Sequence, residues 1–306
     1  RRFHLVSVHL AGVHRHGLFM KLGANTSSLR AQTNLANATS KLASTFERLS
    51  SGLRINRPSD DAAGLAIAES LRADARIASV AIRNANDGVS MISITDAALE
   101  SVGSILIRMA ELAEQSANGT YSTSQRSALA TEFLALGSEV ERIATTTEYN
   151  DIKLLSNSQS ITLQVGLNGN SSSQIRIQSV IGTLFGIGLA SNGSSSLTYS
   201  IQANSDAASI SAARNAIDAV GSAISQVSIL RGVVGGAESR LSVAISNLQV
   251  ARENFVAAES RIRDVDVASE AAEMVRLQIL QQAGTAVLAQ ANMQPELVLK
   301  LLGSGS

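Results

Sequence analysis

Apolar residues recur at helical spacing at both ends of this chain. Leu35, Leu42 and Leu49 repeat every seven residues, with Phe46 and Leu53 on the same side. Toward the other end, Leu277, Leu280, Val287, Ala291, Val298 and Leu301 fall at alternating steps of three and four, and Gly284 and Gln294 fill the gaps. Residues three and four apart share one helix face, and a seven-residue repeat turns that face into a seam for another helix. The stripes therefore predict terminal helices over 25–51 and about 268–302, which pair with each other or with neighbouring copies. Asn25, Thr26 and Ser27 are the caps available to the first helix.

The stretch between them is also periodic. Ser50-Ser51-Gly52 and Asn56-Arg57-Pro58-Ser59-Asp60 carry turn chemistry, after which Ser59, Asp60 or Asp61 caps a long helix. Ile67, Leu71, Ala78, Ile82, Ala85, Val89, Ile92, Leu99, Val102, Leu106, Met109 and Ala113 keep its rhythm as far as Asn118-Gly119. A shorter helix over about 124–144 folds back as a hairpin. Ile161, Leu163 and Val165, then Ile175 and Ile177, alternate with polar residues around Leu167-Asn168-Gly169-Asn170, which reads as a β-hairpin. A third long helix follows over 206–263. Gly232, Gly235 and Gly236 inside it imply a kink or a very close helix contact, because each interior glycine costs about 1 kcal/mol relative to alanine. Pro295 should kink the last helix or start a new turn.

The predicted fold is mainly α: a folded-over rod of long coiled-coil-like helices with a small β-hairpin and loop tip. The expected divisions are an atypical extension over 1–19, terminal helices over 20–55 and 264–306, a helical rod over 56–155 and 205–263, and a tip over 156–204.

Composition supports close helix packing. Of 306 residues, 45% are apolar but only 3% aromatic, so the core is built from Ala, Leu, Ile and Val. Net charge is zero and no basic block stands out, which argues against nucleic acid as a partner. No run approaches eighteen apolar residues, so no membrane span is expected. Cysteine is absent, and all four histidines lie at His4, His9, His14 and His16. Residues 17–306 thus lack the usual nucleophile–base pairs and zinc sites. His14-Arg15-His16 is an incomplete metal site. Arg1-Arg2 and the apolar run after it resemble a signal peptide only faintly, and Met20 is the natural start. Asp60-Asp61 and Asp264/Asp266 sit at helix starts and read as caps rather than as acid–base pairs. Gly186-Ile187-Gly188 lacks the dinucleotide spacing, and Met91, Met109, Met274 and Met293 are scattered packing positions. Neither a catalytic residue nor a cofactor or metal site is expected.

Two ordered motifs resemble bacterial flagellin. One comprises Asn34-Leu35, Arg48 to Asn56 (RLSSGLRIN) and Asp60 to Ile67 (DDAAGLAI). The other comprises Ala258 to Asp264 (AESRIRD), Gln278 to Thr285 (QILQQAGT) and Val287 to Asn292 (VLAQAN). The similarity covers roughly 24–155 and 206–302. It implies a structural, non-enzymatic subunit that self-assembles into the extracellular flagellar filament for motility, exported unfolded through the flagellar type III apparatus. Self, an export chaperone and the cap and junction proteins are the implied partners. The implied assembly seam is Leu35, Leu42, Phe46, Leu49, Leu277, Leu280, Val287, Val298 and Leu301. Only about sixty residues take the place of the family's outer domains, so the resemblance is to a short form. Residues 1–19 have no counterpart in the family.

Arg108, Leu112 and Glu132 match three flagellin residues read by a Toll-like receptor of a host. Without the resemblance they are an exposed charged face. Two other readings compete: a hook–filament junction protein, and a cell-surface protein on the same scaffold that binds polysaccharide. Few aromatics are present to stack on sugars.

Overall fold

The structure, a computed structural model, describes residues 25–192 and 194–303, with the side chains of the last helix as far as Gln294. The extension over 1–19, the start at Met20, and the side chains of Val298 and Leu301 lie outside the described residues. Five α-helices carry the fold: α1 (Thr26–Ser51), α2 (Ala62–Ala117), α3 (Thr123–Thr146), α4 (Asp206–Arg263) and α5 (Val267–Gly303). Two small antiparallel hairpins, β1 (Glu148–Tyr149) with β2 (Ile152–Lys153) and β3 (Ile161–Gln164) with β4 (Gln174–Ile177), complete it. Contacts divide the chain into two compact units, one within 1–65 and 262–306, the other 66–261.

In the 66–261 unit, α2 and α4 run antiparallel. Arg231 of α4 grips Asp96 of α2 through two hydrogen bonds, Nε to Oδ1 at 2.8 Å and Nη2 to Oδ2 at 3.0 Å. The buried residues of α4 follow a strict heptad: Ser209, Ala213, Ala216, Val220, Ala223 and Val227, then Val234, Ala237, Leu241 and Leu248. This alanine-rich seam lets helix axes approach closely. Ser122 starts α3 with a full capping box, its hydroxyl accepting from the Gln125 N–H while the Gln125 side chain accepts from the Ser122 N–H.

The stretch over 156–204 packs against the long helices of its unit. Val165, Ile175, Ile177, Val180, Leu184, Ile187, Leu189 and Ile201 share one core with α2, α3 and α4. β3 pairs with β4 in the register Ile161↔Ile177 and Leu163↔Ile175, as the alternation predicts. Leu163 fills the space above Gly88, where a Cβ would stand 2.2 Å from its Cδ1. Polar bonds hold the same stretch: Asn84 Nδ2 to the Gln164 carbonyl, the Leu184 N–H to the Glu141 carboxylate, and Ser116 Oγ to the Ile201 carbonyl. The β1–β2 hairpin was not expected. Its turn residues Asn150 and Asp151 both take positive φ, 49° and 62°, as a two-residue primed turn requires.

Three further points bear on the expectations. α4 stays helical through Gly232, Gly235 and Gly236, and a Cβ on any of them would meet nothing within 4 Å. These glycines are exposed, so no close contact within the unit accounts for them. α5 likewise stays helical through Pro295. Finally, α2 and α4 each hold an 18-residue window of mean hydropathy 1.3 with few charges, enough by length and composition to cross a membrane. Core helices of water-surrounded proteins meet the same criterion, and here the Asp96–Arg231 and Arg108–Glu132 pairs stud the helix flanks.

Candidate assembly surface

In the other unit α1 lies antiparallel to α5. Ser28 Oγ donates to Asn292 Oδ1 at 2.7 Å, Gln281 Nε2 to Thr39 Oγ1 at 3.3 Å, and Arg48 faces Glu270 at 3.7 Å. Leu35 sits over Gly284, 3.4 Å from where a Cβ would stand. Asn25 caps α1, its Oδ1 accepting from the Ser28 N–H, while its Nδ2 donates across to the Ala291 carbonyl at 2.8 Å.

The base of the pair is strapped through its backbone. Gly52 ends α1 with φ at 72°, in the left-handed region that glycine enters without strain. Its carbonyl accepts from the Val265 N–H, and the Arg54 N–H donates to the Arg263 carbonyl. Asp61 caps α2 through the Gly64 N–H, and Asp266 caps α5 through the Ala268 and Ser269 N–H groups. Asp60 instead braces the loop, accepting from the Arg57 and Asn56 N–H groups. Those two bonds hold its carboxyl below its ordinary value of 3.8.

The structure places the expected seam residues on two different faces. The shared seam on α1 is Ser28, Ala31, Leu35, Ala38, Leu42, Thr45 and Leu49, all buried or half-buried. On α5 it is Met274, Leu277, Gln281, Gly284, Leu288 and Ala291. Leu35, Leu42, Leu49 and Leu277 lie on the face that α1 and α5 share. Phe46, Leu280 and Val287 lie off it and are 50%, 45% and 59% exposed. Phe46 follows Thr45 and is rotated about 100° away from the seam, as one step of an α-helix requires. On α5 the positions Leu277, Gly284 and Ala291 are common to both readings. The alternate positions could fall three or four residues on. The fold uses Gln281 and Leu288, whereas hydrophobicity favoured Leu280 and Val287. The signal for Leu288 lay in the four-step from Gly284, but it was masked by equally apolar neighbours.

The consequence is an apolar outer face. Val275, Ile279, Leu280, Val287 and Met293 are all exposed on α5, and Leu29 and Phe46 on α1. The outer side of α5 carries more large apolar residues than its seam, which holds Gln281 and Gly284. A helix apolar on every side is one that folding alone has not finished burying.

The second set of residues separates in the same way. Arg108 on α2 is exposed and pairs with Glu111 and with Glu132 of α3, each at 2.9 Å. Hydrogen bonds donated to Glu111 first and to Glu132 second hold the guanidinium charged more firmly still. Leu112 is fully buried. Its side chain belongs to the core, so the outward surface at this point is the Arg108–Glu132 pair without it. Among the described residues, no group of three or more His, Cys, Asp or Glu converges as a metal site would require.

Residues 23–160 match the family model of the bacterial flagellin N-terminal helical region, and residues 217–302 that of the C-terminal helical region. A flagellin of Halalkalibacterium halodurans is 42% identical over 284 residues, spanning 92% of this chain and 100% of that protein. A flagellin of Bacillus subtilis is 37% identical over 307 residues, again across 92% and 100%. Flagellin FlaB1 of Treponema pallidum is 35% identical over 291 residues with the same coverage. The crystal structure of Bacillus cereus flagellin aligns at 25% identity with a TM-score of 0.45, covering 54% of this chain and 88% of that one.

Proposed function

This chain belongs to the bacterial flagellins and is a structural subunit of the extracellular flagellar filament, and from that premise we propose that the outer face of α5, with Leu29 and Phe46 of α1, is the surface that neighbouring subunits cover. The observation that carries the reading is the row Val275, Ile279, Leu280 and Val287, left open to water after α1 has taken the other side of the helix. Burying such residues stabilises by about 25 cal/mol per Å², whereas an isolated helical pair must offset its full ordering entropy. The terminal pair is accordingly disordered in the free subunit and ordered in the polymer. Contacts repeat head to tail without closing a ring, so a filament grows.

Limited proteolysis tests this. The free subunit should lose its ends while 66–261 survives, and the polymer should protect both. Ends as resistant as the centre in the free subunit would refute the reading.

Export in an unfolded state, with a chaperone covering the same α5 face until cap and junction proteins receive the subunit, follows from this account and suits a chain without cysteine. A host Toll-like receptor is a further proposed partner, with Arg108 and Glu132 as its contacts and Leu112 supporting them from beneath. Replacing Arg108 with Asp should abolish signalling in a responsive cell assay; unchanged signalling counts against it. The relatives favour neither a junction protein nor a polysaccharide-binding protein.

A further inference from the structure

The apolar seam of the terminal pair does not by itself select one alignment. With Leu35 against Gly284, the antiparallel arrangement sets Ala31 against Leu288, Ala38 against Gln281 and Leu42 against Leu277. Sliding α5 by one heptad sets Leu35 against Ala291, Ala38 against Leu288, Leu42 against Gly284 and Leu49 against Leu277. Large again meets small at three of the four places. Both stripes repeat every seven residues, so packing leaves the two alignments close in energy. The backbone strap between Gly52 and Val265 and between Arg54 and Arg263 marks the base of the pair, and the far end, where helices can still fray and re-pair, needs a mark of its own.

Pro295 occurs once in α5 and has no N–H to donate to the carbonyl four residues before it. That carbonyl belongs to Ala291, and it accepts instead from Asn25 Nδ2 at 2.8 Å. No other carbonyl along the described length of α5 is freed in this way. We propose that Pro295 is a register mark, and that Asn25 reads it by bonding to the Ala291 carbonyl that the proline leaves open. Asn25 suits the task because its Oδ1 is engaged in capping α1 through Ser28, which aims the amide nitrogen across the pair. Ser28 and Asn292 bond beside it and share the same alignment. The inference rests on the assembly reading above. A terminal pair one heptad out displaces Ile279, Leu280 and Val287 by about 10 Å along the axis, and a regular lattice cannot accept it.

The test compares Asn25→Asp, which keeps the capping oxygen but loses the amide donor, with Pro295→Ala, which returns an N–H to Ala291. Amide exchange is followed over residues 26–35 in filaments of the full chain. Register is reported by disulfides, which the cysteine-free chain permits. Thr39→Cys with Gln281→Cys bridges the observed alignment, and Thr39→Cys with Leu288→Cys bridges the shifted one. Each variant should speed exchange about fivefold, the worth of one net hydrogen bond, and should raise the 39–288 product by a similar factor.

Pro295→Ala is the deciding case, because it improves the helix itself. A merely structural proline predicts slower exchange and no 39–288 product, and that result overturns the proposal. So does an Asn25→Asp chain that keeps parental exchange and the 39–281 product alone. A parent chain that forms no filament refutes the assembly reading instead; the same two disulfides in the unassembled chain then still report whether the proline sets the register.

Discussion

Replacing Ile279 and Val287 together with Ser isolates what the outer face of α5 contributes. Both side chains are largely exposed, 60% and 59%, so the change removes little that the isolated fold uses. Surface substitutions of this kind stay within about 0.5 kcal/mol. In the polymer the missing burial is larger. A fully buried Val or Ile side chain is worth roughly 1.5–3 kcal/mol, and about three-fifths of each is available here, giving about 3 kcal/mol for the pair. Every 1.4 kcal/mol is tenfold in an equilibrium constant, so the critical concentration for filament growth should rise roughly 100-fold. Sedimentation of seeded polymerisation measures it, while a thermal melt of the free subunit monitors the fold. Leu277→Ala is the contrast: that side chain is buried at 2% exposure in the seam, so its loss should weaken the terminal pair itself. The reasoning fails if the double variant polymerises within about twofold of the parent, or if its melt falls by as much as its assembly does.

Three further outcomes are expected. Arg126 is fully buried, donating to the Asn118 carbonyl at 2.9 Å and the Asp206 carbonyl at 3.3 Å, with Nε lacking a partner. Arg126→Ala should cost about 3 kcal/mol by removing two buried hydrogen bonds and leaving a cavity, and Arg126→Met, which keeps most of the volume, roughly half as much, both read by urea unfolding. The hydrogen bond from Arg231, opposed by partial burial, lowers the carboxyl of Asp96 below its ordinary 3.8. A depressed folded value means that its contribution is fully present above 3.8 and lost as pH falls through the lower value, so Asp96→Asn should lower stability at neutral pH, flatten the acid limb of the profile and leave the most acidic end little changed. Gly232→Ala with Gly236→Ala meets open space at both positions, so it should stabilise the free subunit by roughly 1 kcal/mol per site, visible as a higher Tm.

Helix extent and helix partners differ in how far local sequence determines them. Caps and breakers act within a few residues, so Asn25, Gly52 and the Asn118-Gly119 pair announced the helix ends closely. The β3–β4 register was legible because alternation has a period of two, and a one-residue slip would have turned Ile175 and Ile177 outward. Which side of a helix faces its partner is harder when both sides are apolar. On α5, Leu280 and Val287 present a better stripe than Gln281 and Leu288, yet the fold buries the poorer one. Leu112 is a comparable case: an Arg and a Leu four apart share a face by spacing, but Arg108 turns to Glu132 while Leu112 enters the core. Arg126 left no signal at all, because its role depends on carbonyls eight and eighty residues away.

The choice of seam on α5 bears on why the subunit is built this way. Had the fold paired Leu280 and Val287 with α1, the terminal pair would bury its best apolar residues internally and be more stable alone. It would then offer Gln281, Gly284 and Leu288 to its neighbours, a weaker surface for joining them. Placing a glutamine, a glycine and alanines on the internal seam keeps the isolated pair marginal, since small and polar residues bury little area. Free energy that could have stabilised the monomer is thus available only between subunits. The contrast is sharp enough to test by exchange: Gln281→Leu should strengthen α1–α5 pairing in the free subunit, seen as helical signal gained in circular dichroism, without lowering the critical concentration in proportion. A gain in assembly as large as the gain in monomer helicity would show that the two faces are energetically one.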